Sequence, residues 1–94
     1  MDNTPILLEI SHLQDALNII HGQFITLANS DGIGKEDRDI YIEMLIWVNT
    51  SESILRNTAT AIQLKPESCV MGDLEFTVEI IREQIAETQL KLKH

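Results

Sequence analysis

Apolar residues recur along this chain at alternating steps of four and three, and they do so in three separate segments. In the first, Ile6, Ile10, Leu13, Leu17, Ile20, Phe24 and Leu27 form one uninterrupted stripe, with Thr4 and Pro5 ahead of it as a helix start. Residues three and four apart share one face of an α-helix, so the spacing predicts an amphipathic helix with one buried side. The second segment carries two adjacent rows. Ile40, Met44, Trp47, Ser51, Ile54, Thr58 and Ala61 run beside Tyr41, Leu45, Val48, Glu52, Leu55, Ala59 and Ile62. A double row makes a face wide enough to pack against more than one helix. In the third segment Leu74, Val78, Ile81, Ile85, Thr88 and Leu92 repeat the alternation.

The predicted helices cover about 5–29, 36–64 and 70–92. Pro66 in "KPES" stops the second, and Ser68 or Asp73 can cap the third. No two-residue alternation, Gly/Ser-rich linker or low-complexity tract interrupts this pattern. The chain of 94 residues is therefore read as one all-α domain, residues 1–94, of two to three long antiparallel amphipathic helices in a small bundle. Short turns force neighbouring helices antiparallel. The broad second face favours a hairpin completed by oligomerisation, with a homodimer as the simplest case.

Composition supports helices. Aromatic residues make up only 4% of the chain against 44% hydrophobic in total, so the core must be built from Ile, Leu, Val and Met. No apolar run approaches the ~18 residues of a membrane span, and "MDNTPILLEI" lacks the basic start of a secretory signal, so a cytoplasmic protein is expected. The single cysteine, Cys69, excludes an internal disulfide and agrees with a reducing compartment.

The stretch "NSDGIGKED", residues 29–37, places acids and amides around glycine as a calcium loop does. It fails as an EF-hand in both registers. With Gly32 at the sixth position the twelfth is Arg38, and with Gly34 there it is Ile40, where a bidentate Glu is required. The stretch reads instead as a turn, with Asn29, Gly32 and Gly34 supplying left-handed backbone and Glu36 and Asp37 favouring the next helix start. It also lacks the buried strand and full spacing of a phosphate loop. His12 and His21 are nine residues apart and project to opposite sides of their helix, so they cannot share a metal, and His94 is terminal. Cys69 near a helix start could have a lowered thiol pKa, yet no histidine is near it in sequence. "NTS" at 49–51 falls within a helix and is a chance match to a glycosylation acceptor. No catalysis, cofactor or metal is expected.

Charge carries the strongest functional hint. The net charge is −8, and residues 1–34 hold four acids and no Lys or Arg. Direct binding to nucleic-acid phosphates or acidic membranes is therefore disfavoured. Glu75, Glu79, Glu83 and Glu87 repeat every four residues of the third helix, each like pair costing ~0.2–0.5 kcal/mol of helix stability. A basic partner could offset that cost, and a solvated face that maintains solubility is the simpler explanation. Ser51 with Glu52, and Thr58 with Ala59, interrupt both core rows of the second helix. They read either as a notch where another helix approaches closely or as a solvent-facing level.

The functional expectation is a small acidic protein-binding module, a regulator, inhibitor or chaperone-like adaptor, that packs a helix face on a partner protein. Tyr41, Met44, Leu45, Trp47 and Val48 form the anchor, and Glu75, Glu79, Glu83 and Glu87 steer a partner with a basic surface. Taken alone, Trp47 reads more readily as ordinary core. The alternatives are an acidic inhibitor that imitates nucleic-acid charge, which needs the glutamates to align with Glu9 and Asp15, and a small dimeric transcriptional or stress regulator.

Overall fold

A computed structural model describes residues 3–68 and 71–93. Among them the chain forms three α-helices, α1 (Thr4–Ala28), α2 (Lys35–Leu64) and α3 (Met71–Leu92), and no strand. Pro66–Ser68 make a short 3₁₀ turn between α2 and α3. The side chain of Ser68, and Cys69 and His94 entirely, lie outside the described residues. The molecule is a helical bundle measuring 52 × 20 × 17 Å. No helix among the described residues is long and apolar enough to cross a membrane.

The helix ends follow local chemistry. Pro5 occupies the first turn of α1, where its missing N–H costs nothing. At the other end the Asn29 N–H donates to the Ile25 carbonyl at 3.1 Å, and Arg38 Nε reaches back to the Ala28 carbonyl at 3.2 Å. A guanidinium on the exposed last carbonyls of a helix is favourable both as hydrogen bond and as charge against the dipole. In the turn only Gly32 takes a left-handed backbone, at φ +79°. Asn29 at φ −98° and Gly34 at φ −71° do not, which corrects the expectation for those two positions. One glycine suffices because the extended backbone at Gly34 already re-aims the chain. Glu36 and Asp37 fall in the first turn of α2, facing its positive end.

All three helices contribute to one core. Ile6, Ile10, Leu13, Leu17, Ile20 and Phe24 of α1 are buried, as are Val78, Ile81 and Ile85 of α3. Each such side chain contributes roughly 1.5–3 kcal/mol of transfer free energy. On α2 the buried line is Val48, Ser51, Leu55, Thr58 and Ile62. This line zigzags between the two expected rows, leaving one flank of α2 toward α1 and the other toward α3. Ser51 and Thr58 are inside the bundle, so the polar levels of α2 do not face solvent. The Thr58 hydroxyl donates to the Ile54 carbonyl at 2.7 Å, and buried Thr88 does the same to Gln84 at 2.8 Å. These hydroxyls are satisfied within their own helices and so carry no unpaired donor into the core.

Candidate protein-binding surface

The five expected anchor residues do not form one patch. Val48 is 2% exposed and belongs to the core, because it lies on the central line of α2 rather than on a flank. Leu45 is half-buried on the α1 side, where it lines a depression with Ile25, Ala28, Arg38 and Ile42. Tyr41 and Met44 are half-buried near the other end of α3, around a pocket of about 420 Å³ shared with Phe24, Leu27, Ile40, Thr88, Lys91 and Leu92. The Tyr41 ring sits 6.0 Å from that of Phe24. Trp47 is half-buried, and its indole N–H donates to Gln84 Oε1 at 3.0 Å, which joins α2 to α3.

Trp47, through Gln84, marks the flank of α2 that faces α3, and Lys91 of α3 meets Ile40 at the pocket on that side. Residues seven apart on a helix lie within about 20° of one another, so Ile40, Trp47, Ile54 and Ala61 form a single row along that flank. The row is partly uncovered, with Ile40 53% and Ile54 40% exposed and Trp47 half-buried. Across from it on α3, Ile80 lies one turn before Gln84 and is 39% exposed, and Phe76, one turn earlier, is 65% exposed. The result is a long apolar face formed jointly by α2 and α3. α3 reaches α2 around Leu92 and, through Gln84, at Trp47, while Ile54, Phe76 and Ile80 lie beyond that bridge, toward the later part of α2 and the first turns of α3.

The opposite flank of α2 is different. Leu45, Glu52 and Ala59 are all half-buried against α1, and Glu52 accepts a hydrogen bond from Arg56 at 3.0 Å. Ile40, Ile54, Phe76 and Ile80 were not among the expected site residues. Their signal was available: Phe76 and Ile80 are apolar, four apart, and outside the buried stripe of α3.

Glu75, Glu79, Glu83 and Glu87 are all exposed. Each step of four residues advances the stripe by about 40°, so it winds across the outer side of α3. Arg82 pairs with both Glu79, at 3.6 Å, and Glu9 of α1. Asp15 is six residues beyond Glu9 and therefore about 120° further round α1, so Glu9, Asp15 and the stripe do not make one continuous face. The acids that border the open apolar face are Glu36 and Glu43 on α2 and Asp73, Glu83 and Glu87 on α3, all exposed. His12 is exposed and His21 half-buried. Among the described residues no three His, Cys, Asp or Glu side chains are grouped to hold a metal ion. Comparison with protein-family models, with curated proteins and with solved structures finds no match to this chain.

Proposed function

We propose that this protein is an acidic helical binding module that holds a partner protein by packing a helix face, acting as a regulator, inhibitor or adaptor without catalysis. The observation that carries this reading is the exposed row Ile40, Ile54, Phe76 and Ile80 beside half-buried Trp47. Isolated exposed apolar residues are ordinary on a protein surface, whereas a row at heptad spacing is the pattern by which one helix receives another. In this reading α2 runs antiparallel to both α1 and α3. The pairing of Phe24 with Tyr41 beside the α1–α2 turn, and of Trp47 with Gln84, supports that direction. The anchor then shifts from Leu45 and Val48 toward Ile40, Trp47 and Ile54, while Tyr41 and Met44 keep their place beside it.

A homodimer formed through the same face is the second form of the proposal, favoured by the elongated shape of the chain. The nucleic-acid mimic draws no support from the scattered positions of Asp15 and Glu9. The transcriptional regulator would need a basic patch, and the acidic rims of this face do not supply one. The test is recovery of a stoichiometric partner with tagged protein from its host, repeated with Ile54→Gln and Ile80→Gln together. Loss of the partner with an unchanged melting curve supports the reading, and retention of the partner by the double variant refutes it.

A further inference from the structure

We infer that the occupant of the α2–α3 face is a single amphipathic helix of another protein, with basic residues along both its flanks, which makes the bundle four-helical. This inference rests on the reading of that face as a protein-binding surface. It names the chemistry of the partner from the shape and charge of the face.

The shape is an elongated track that winds by about 60° around α2 between Ile40 and Ala61. From Ile40 to Ala61 the row spans 21 residues of α2, or about 31 Å, which matches an incoming helix of about six turns. At one end the 420 Å³ pocket between Tyr41, Met44 and Leu92 offers a socket for one bulky apolar side chain. The surface is large for the mass of the chain. The accessible surface is 6436 Å², whereas a compact monomer of this mass exposes about 5,500 Å². The excess is roughly 900 Å². The rod shape produces that excess, and a helix laid along the rod would remove part of it.

Charge decides between a foreign helix and a second copy. The two rims of the face carry Glu36, Glu43, Asp73, Glu83 and Glu87, against Lys91 at one end and Lys65, at the same angle as Trp47, at the other. A symmetric pair would set the same patch on both subunits, placing acidic rim against acidic rim between two chains of net charge −8. A helix whose apolar stripe is bordered by Lys or Arg meets opposite charge on both sides. Lys91 sits over the pocket end, where an acid on the incoming helix would be tolerated.

The experiment uses the full chain and two synthetic 21-residue helices with the same Leu and Ala stripe, one flanked by Lys and the other by Glu. Trp47 is the only tryptophan, so its emission reports occupancy of the face directly, and light scattering gives the mass of the complex. The expected result is a one-to-one complex with the Lys-flanked helix, at least about tenfold tighter than with the Glu-flanked one and weakening as salt rises. Ile54→Gln with Ile80→Gln should weaken it by about tenfold or more at an unchanged melting temperature. Glu43→Lys with Glu87→Lys should erase the preference between the two peptides. Equal binding of both peptides by the unmodified protein would overturn the basic-partner inference. A dimer that Ile54→Gln converts to monomer would also overturn it, while leaving the binding face intact. A monomer that takes neither peptide would remove both the inference and the reading beneath it.

Discussion

The two flanks of α2 are built from the same kind of residues and meet different fates. Toward α1, Leu45, Glu52 and Ala59 are all partly covered, and Arg38 and the Phe24–Tyr41 ring contact tie the two helices together at the turn. Toward α3, Ile40 and Ile54 remain exposed, and the Trp47–Gln84 hydrogen bond bridges a face that is otherwise open. The difference teaches that an apolar heptad row specifies a capacity to pack without specifying that the chain itself fills it. Here the α1 seam consumes the central line of α2 and one flank, and α3 reaches the remaining flank only at intervals.

Four substitutions would break or sharpen that contrast. Leu17 is fully buried on the α1 side of the core, and Leu17→Ala should cost ~2–5 kcal/mol and lower the thermal midpoint of the whole molecule. If α3 unfolded separately before α1 and α2 in that variant, the three-helix core would be less unified than its shared burial implies. Trp47→Ala removes a partly exposed side chain and its bond to Gln84. The cost should be about 2 kcal/mol, below the ~3–5 kcal/mol of a fully buried Trp. Hydrogen exchange should show the amides of α3 opening more readily while those of α1 are little changed. Uniform acceleration in all three helices would mean the α3 flank is as tightly coupled as the other.

Smaller effects test the ties at the ends of the comparison. Gly32→Ala forces a side chain into left-handed backbone with open space around it, so strain alone should destabilise the α1–α2 turn by about 1 kcal/mol. A neutral result in urea titration would show that the turn relaxes without disturbing the seam. Arg82→Ala deletes the exposed pairs to Glu9 and Glu79 and should cost only ~0.2–1 kcal/mol, vanishing at high salt. A larger loss that persists in salt would assign α3 a tether to α1 stronger than an exposed ion pair provides.

Much of the fold was legible because its determinants are local. The stripes 6–27 and 74–92 contain the residues that line the core from α1 and α3, and Pro5, Pro66 and the glycine turn mark where helices begin or end. The candidate site was less legible. Tyr41, Met44 and Trp47 were found beside the open face, Val48 proved to be core, and Leu45 fell on the opposite flank. Those five lie within eight residues of one helix, and a helix turns about 100° per residue, so nearness in sequence scattered them around its circumference.

The sequence by itself determined three amphipathic helices and the buried stripes of α1 and α3, since periodicity and capping act over one or two turns. Only the tertiary structure decided which flank of α2 α3 leaves open. That outcome depends on where α3 comes to rest, through contacts such as Arg82 with Glu9 and Trp47 with Gln84, whose partners are 73 and 37 residues apart. No local pattern encodes such distances. They follow from how the three helices settle around their shared core, and from how much apolar surface remains once it is filled.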